Sequence, residues 1–368
     1  MNAAPLARTE LGVAIIGCGR IGTLRAVMAS RHPAVRFIAL ADRDPARARE
    51  LAQRVGAQVY SGDSREIMSR PEVNAVVVST IEVEHTQPVL QALELGKPVL
   101  VEKPIALDLA TADRIIAAAD AAGASLHVGF SRRFKKRYLL AKEQLVQGRL
   151  GKVVGAAARV YNIRSQGMQT LSRLPKESNS ISGLTYYVDV INWLLAGNPP
   201  AEVYARAQGG IFKDKGYNTN DVTWAILTYA DGAVLNLGVS YALPEQYPAL
   251  GHAARVELLG SEGVMLLDDD HTDQIMYTEQ GFPHVYIPEH VVNMVLLGSG
   301  TPGDWALGEF WGPVATETRA WLDHLSAGTQ CLLATPREAR ATLEVGLAIG
   351  ESLKRHAPVR IPLESPGP

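Results

Sequence analysis

Three clusters of residues in this chain have the types and spacing that chemistry needs. In "LGVAIIGCGRIG", Gly17, Gly19 and Gly22 form G-x-G-x-x-G directly after an apolar run too short for a helix. The first glycine allows a tight turn, the second lets backbone approach a pyrophosphate, and the third lets a helix pack on a strand. Arg20 and Ile21 then stand on the opening helical turn, whose free N–H groups suit phosphate. Asp42 closes a second apolar run, "VRFIALAD", where an acidic side chain accepts hydrogen bonds from adenosine ribose hydroxyls. Its charge would repel a 2′-phosphate and favours NAD, whereas Arg43 beside it would attract one, so NADP stays open. The third cluster, Glu102-Lys103-Pro104, ends "PVLVEKP". A lysine at the carboxyl edge of a sheet can hydrogen-bond a substrate oxygen and stabilise negative charge developing beside a nicotinamide. Taken singly, each has a plainer reading: a turn between packed elements, or an exposed lysine before a helix.

For these clusters to meet, the first half must build a parallel sheet. Asp44 and Pro45 make a cap and first turn for "ARARELAQRV", and Asp63 with Glu66 has capping-box spacing. Strands "AQVY", "VNAVVVST", "PVLVEKP" and "SLHVGF" alternate with helices near 85–95, stopped by Gly96, and near 111–122. Strands separated by helices of about a dozen residues imply right-handed crossovers. The expectation is an α/β Rossmann domain with a doubly wound parallel sheet over residues 1–130. Past residue 130 the rhythm changes. "GKVVGAAARVY", "AEVYARA", "DVTWAILTY", "AVLNLGVS", "ARVELLG" and "GVMLL" read as strands, and "ADG" (230–232) and "GSEG" (260–263) as hairpin turns. An α+β domain over 131–368 with an open, mostly antiparallel sheet is expected, closed by a helix over 336–356 that turns Leu343, Leu347 and Ile349 inward.

Two domains also fit a length of 368 residues, and 47% apolar with 20% charged residues suffices for folded cores. No apolar run reaches the roughly 18 residues of a membrane span, and the opening "MNAAPLARTE" lacks a leader's apolar centre, so a cytoplasmic protein with no membrane partner is expected. A net charge of -2 supplies no general attraction to nucleic acid, and "RRFKKR" (132–137) reads as a solvated face beside a cofactor site. Cys18 and Cys331 have no paired-ligand spacing, and "DDDHTD" (268–273) reads as a solvated turn, so no disulfide and no metal is expected. His127, inside a strand, reads as a satisfied buried histidine. Asn162 and Arg164 could reach a substrate from the start of a long loop or simply be solvated there; Asn220 and Asp221 are equally open.

The glycine motif, "VEKP", "VGFSRRF", the hairpin "VELLGSEGVMLL" and the closing "ATPREARATLEVGLAIGESL" follow one another across nearly the whole chain. In that combination the chain resembles the glucose–fructose oxidoreductase, inositol dehydrogenase and MocA family. The resemblance implies a nicotinamide cofactor, oxidation or reduction of a polyol, sugar or related hydroxyl compound, and a homodimer or homotetramer made through the open sheet face. It also implies that Lys103 contacts the substrate hydroxyl, with Glu102 beside it at the cofactor. Pro104 would fix the backbone, a cis bond being one way to do so. Thr80 and His85 match a T-x-x-x-x-H segment near the cofactor, with Ile81 where a proline is usual, and Arg132 matches an arginine near the nicotinamide.

The family pattern D-x-x-x-H-x-x-D-x-x-x-W-L, whose histidine moves the proton, is altered in "SNSISGLTYYVDVINWLLAG". Aligned on Asp189, Trp193 and Leu194, the chain has Tyr186 in the place of the histidine and Ser182 in that of the first aspartate. A phenol has no need of the carboxylate that orients an imidazole, and some members similar to glucose–fructose oxidoreductase carry tyrosine here. An ordinary tyrosine has a pKa of about 10, so the Lys103 ammonium would have to favour tyrosinate. The implied mechanism has Tyr186 take the hydroxyl proton while Lys103 holds the oxygen and hydride passes to the nicotinamide. A packed helix aromatic is the plainer reading of Tyr186, and Tyr187, about 100° round the helix, is the fallback. Asp189, at i+3 from Tyr186, would bind a second hydroxyl or tie down the helix, and Asn192 continues that face. Two other functions stay open: a redox-neutral glycosidase that uses NAD, and a cofactor-binding regulator without catalysis.

Overall fold

A computed structural model describes residues 9–172, 182–245, 252–268, 275–283, 289–296, 304–306 and 309–363. The first part of the chain alternates β1 (Leu11–Ile16), α1 (Arg20–Ser30), β2 (Val35–Ala41), α2 (Pro45–Val55), β3 (Val59–Ser61), α3 (Ser64–Met68), β4 (Ala75–Val78), α4 (Thr86–Glu94), β5 (Val99–Glu102), α5 (Leu109–Ala122) and β6 (Leu126–Gly129). It continues through α6 (Lys136–Val146), β7 (Val153–Ile163), α7 (Arg164–Leu171), α8 (Ser182–Leu194), β8 (Pro200–Gln208), β9 (Val222–Tyr229), β10 (Val234–Leu243), β11 (His252–Gly260), β12 (Gly263–Asp268), β13 (Ile275–Pro283) and β14 (Val291–Leu296). Last come β15 (Asp304–Ala306), β16 (Glu309–Trp311), α9 (Pro313–Ala327), α10 (Pro336–Arg355) and β17 (Val359–Arg360). No described helix is long and apolar enough to cross a membrane.

Six parallel strands in the order β3-β2-β1-β4-β5-β6 form the expected doubly wound sheet. Every residue of β1 and β4 is buried, which is why these runs are continuously apolar rather than alternating. Asp44 and Asp108 cap α2 and α5 by accepting the backbone N–H of Ala46 and Thr111. Gly56 and Gly123, both left-handed, close the same two helices. The strand order reverses between β1 and β4, so the crevice at their carboxyl ends is where a ligand of this fold sits.

The chain divides into two compact units, Met1–Phe134 with Thr301–Leu343, and Lys135–Gly300 with Glu344–Pro368. This division replaces a single break at 130/131, because residues 301–343 return to the first unit. Trp321 and Leu322 of α9 are buried in one core with Ile15, Leu40 and Val77. The Thr9 N–H also donates to the Ser326 carbonyl at 2.8 Å.

Among the described residues of the second unit, nine strands run β14-β13-β12-β11-β7-β10-β9-β8-β17, of which only β7 and β10 pair in parallel. The two expected hairpins join β9 to β10 and β11 to β12. Along β9, Thr223, Ala225, Leu227 and Tyr229 are buried while Trp224 and Ile226 are exposed, the alternation of a sheet covered on one face. Val188, Ile191 and Leu195, in and just beyond α8, share the core beneath that face. The stretch after Tyr161, expected as a loop, instead completes β7 and forms α7, and the rest of it, 173–181, lies outside the described residues. Of "DDDHTD" only Asp268 is described; it ends β12.

Candidate active site

The three motif glycines answer to different demands. Gly17 has φ +93°, and a Cβ there would lie 2.7 Å from the backbone of Ser79 and Thr80. A Cβ at Gly22 would lie 1.9 Å from the Gly17 carbonyl oxygen. A Cβ at Gly19 would meet nothing within 4 Å. The fold itself therefore requires Gly17 and Gly22, whereas Gly19 keeps clear a space that a pyrophosphate would fill. Gly19 is also the N-cap of α1 and offers no side-chain bond, so the N–H groups of Arg20, Ile21 and Gly22 have no intrahelical acceptor and suit an anion.

Two carboxylate and hydroxyl contacts fix this loop. Asp42 is buried directly after β2, its Oδ2 accepting from Cys18 N at 2.8 Å and its Oδ1 from Asp44 N at 2.9 Å. The Ser79 hydroxyl donates to the Gly17 carbonyl at 2.9 Å. Sequence reasoning passed over Ser79, whose signal is a small polar residue ending an otherwise apolar strand. Arg43 is largely exposed and pairs with Glu84 at 2.5 Å. Burial, with the Asp42 charge adding to it, pushes the Cys18 thiol up to about 12, so it is inert.

At the ends of β4 and β5 the structure brings Thr80, His85 and Lys103 together. Thr80 Oγ1 lies 3.1 Å from His85 Nδ1. Burial first, then the nearby Lys103 ammonium, push His85 down to about 4 against an opposing hydrogen bond with the Lys103 backbone, so the imidazole is neutral near pH 7. The Lys103–Pro104 peptide is cis, as the motif suggests. Glu102 turns inward: Arg25 donates to its Oε1 from Nε at 2.8 Å and Nη2 at 2.5 Å, and also reaches Glu317 Oε2 at 2.6 Å and Thr318 Oγ1 at 3.0 Å. Glu102 thus anchors the strand end that presents Lys103. Arg25 and Glu317 carried no sequence signal beyond a charge on a helix face otherwise apolar.

Arg132 is half-buried in the short turn Ser131–Phe134. The segment around it is not the solvated face expected, since Arg133, Lys135 and Arg137 are 2%, 7% and 3% exposed. Arg133 pairs with Glu338 at 3.3 Å and Arg137 donates to the Asp268 carbonyl at 2.7 Å, which compensates two of the buried charges.

In the second unit, α8 turns Tyr187 wholly into the core and leaves Tyr186 half-buried at its edge. Tyr186, not the fallback Tyr187, therefore keeps an accessible portion. Asp189 on α8 is fully buried, at 0% exposed. Asn192 Oδ1 accepts from the Tyr229 hydroxyl at 3.1 Å, while its Nδ2 is buried with no hydrogen-bond partner. Arg164 opens α7 and donates from Nε to the Ala242 carbonyl at 3.0 Å. Asn162 is buried, and Asp221 accepts from three successive amides, Gly210 and Ile211 at 2.8 Å and Phe212 at 3.1 Å, clasping their loop. The side chain of Ser182 lies outside the described residues.

A Rossmann cradle with a lysine at its edge defines a class of nicotinamide-dependent oxidoreductases. Family comparison agrees: residues 11–130 match the oxidoreductase family with an NAD-binding Rossmann fold, and residues 138–266 match the GFO/IDH/MocA C-terminal domain. The chain belongs to the GFO/IDH/MocA family of oxidoreductases with an NAD-binding Rossmann fold. It is 25% identical to myo-inositol 2-dehydrogenase of Thermotoga maritima over 73% of this chain and 78% of that one. It is 23% identical to scyllo-inositol 2-dehydrogenase (NAD(+)) of Bacillus subtilis over 96% of each. Its fold matches the scyllo-inositol dehydrogenase of Lactobacillus casei, solved with NAD(H) and scyllo-inositol, with a TM-score of 0.74 and 18% identity, covering 96% of this chain and 99% of that one.

Proposed function

We propose that this chain is a dehydrogenase for a polyhydroxylated cyclic alcohol or sugar, of the inositol type, with Lys103 on the substrate oxygen and Tyr186 as proton carrier. The observation that carries this reading is that one crevice edge holds both the cleared space over Gly19 and the group of Thr80, His85 and Lys103. NAD, held by the glycine loop, the α1 N-terminus and Asp42, supplies hydride acceptance when bound. Lys103 donates a hydrogen bond to the reacting hydroxyl and stabilises the charge that builds on its oxygen as the proton leaves. Neutral His85 adds no second positive charge beside that ammonium. Tyr186, in its tyrosinate form, receives the proton and becomes the neutral phenol, the task that falls to histidine in the family pattern. The inositol dehydrogenases among its relatives support a ring polyol as the substrate class. The uncovered sheet face, with Trp224, Ile226, Tyr277 and Met294 exposed, supports self-association through that face.

The test is NADH formation from NAD with a panel of inositol isomers and aldoses, run with the native enzyme and with Lys103→Met. Turnover of a panel member, lost in the variant while NAD still binds by calorimetry, is expected. No NAD binding would end the reading, and sugar release from glycosides without net NADH would replace it with a redox-neutral glycosidase.

A further inference from the structure

We propose that His127, His324 and Cys331 form a binding site for a borderline-soft divalent cation, Zn2+, at the edge of the parallel sheet. The three residues come from separate elements of the first unit: β6, the last turn of α9, and the connection from α9 to α10. One ring nitrogen of each histidine and the Cys331 sulfur all lie within 4.8 Å of one another. The two imidazoles meet edge to face, with centroids 5.7 Å apart. Tetrahedral zinc bound by nitrogen and sulfur has ligand-to-ligand edges of about 3.3–3.8 Å. The separations exceed these edges by up to about 1 Å, and His324 and Cys331 are both half-buried.

Two contacts point to a ligand. His127 is 9% exposed and its Nδ1 is buried without a hydrogen-bond partner, so it is not the satisfied histidine its strand position suggested. His324 Nδ1 lies 2.7 Å from the Thr329 carbonyl oxygen. A carbonyl can only accept, so Nδ1 carries the proton and Nε2 keeps a lone pair for a metal, the outer contact by which ligating histidines are oriented. The Val128 N–H donates to the Ala334 carbonyl at 2.9 Å, which ties the stretch carrying Cys331 to the strand carrying His127. Two imidazoles and a thiolate select zinc-like ions over magnesium or calcium. Binding forms the metal–sulfur bond as the thiol proton leaves to solvent, and water completes the fourth position. The cation would clasp the returning segment to the Rossmann sheet, apart from the hydride-transfer residues.

Metal-stripped, untagged protein is titrated with Zn2+ by calorimetry and with Co2+ by absorption spectroscopy, and its unfolding is followed by circular dichroism. We expect one equivalent of Zn2+, a raised unfolding temperature, and a thiolate-to-cobalt charge-transfer band. Cys331→Ser should remove the band, and both Cys331→Ser and His324→Gln should weaken Zn2+ at least tenfold with the native dichroism spectrum retained. Absence of stoichiometric uptake by the native chain, or uptake that both variants keep at native strength, overturns the proposal. The cobalt band of the native chain decides the matter even if a variant fails to fold.

Discussion

Arg25 on α1 and Glu102 at the end of β5 are joined by two hydrogen bonds to one carboxylate oxygen, at 2.8 and 2.5 Å, inside the first unit. Burial alone would lower the pKa of this guanidinium, but Glu102 and then Glu317 outweigh it and raise it above its ordinary value. Removing Arg25 leaves two carboxylates facing each other in a dry core. Arg25→Met should therefore cost about 3–5 kcal/mol of stability, read as a fall in the urea midpoint. Adding Glu317→Gln to that variant should recover part of the loss, because it removes one of the two uncompensated charges. A double variant less stable than Arg25→Met would contradict this account.

The glycine loop yields a contrast between two conservative changes. Gly19→Ala places its methyl in open space, so the urea midpoint should stay close to native while NAD affinity falls at least about tenfold, roughly 1.4 kcal/mol. Gly22→Ala drives its methyl against the Gly17 carbonyl and should lower stability as well as affinity. Calorimetric NAD titration beside urea unfolding separates the two, and equal loss of stability in both would show that Gly19 is also a packing glycine.

How much of this was legible in the sequence follows from how local each signal is. The glycine loop, the Asp44 cap, the hairpin turns and the alternation of β9 are written within a few residues, and each appears where expected. The return of residues 301–343 to the first unit depends on partners such as Arg25 and Glu317, 292 positions apart, which no local pattern encodes. The same holds for Asn192 and Asp221. Asn192 meets Tyr229, and Asp221 three loop amides, through hydrogen bonds that the residue types alone do not announce.

His85 links stability to pH. Its pKa is held at about 4 in the folded chain against 6.5 ordinarily, so between those values the unfolded chain binds a proton that the folded chain refuses. Stability is therefore full above about pH 6.5 and is lost as pH falls toward 4, by up to roughly 3 kcal/mol from this residue. His85→Gln should flatten that portion of the curve. Urea midpoints of native and variant protein across pH 4.5–7 measure it, and parallel curves would remove His85 from the account.

Tyr186 and Tyr187 offer the sharpest separation of chemistry from packing. They are neighbours on α8, yet one is half-buried and the other wholly enclosed among Val188, Ile191 and Leu194. If the Tyr186 hydroxyl carries the proton, Tyr186→Phe should lower kcat by about 10²–10⁴ and change KM little, because the ring that packs at the core's edge is retained. Tyr187→Phe keeps the buried ring and should leave kcat near native. Steady-state kinetics on a turned-over polyol, with unfolding curves for both variants, reads the difference. A large kcat loss in Tyr187→Phe together with a silent Tyr186→Phe would reverse the assignment. Loss in neither would move proton transfer off α8 altogether, leaving Lys103 to act with a solvent molecule as the acceptor.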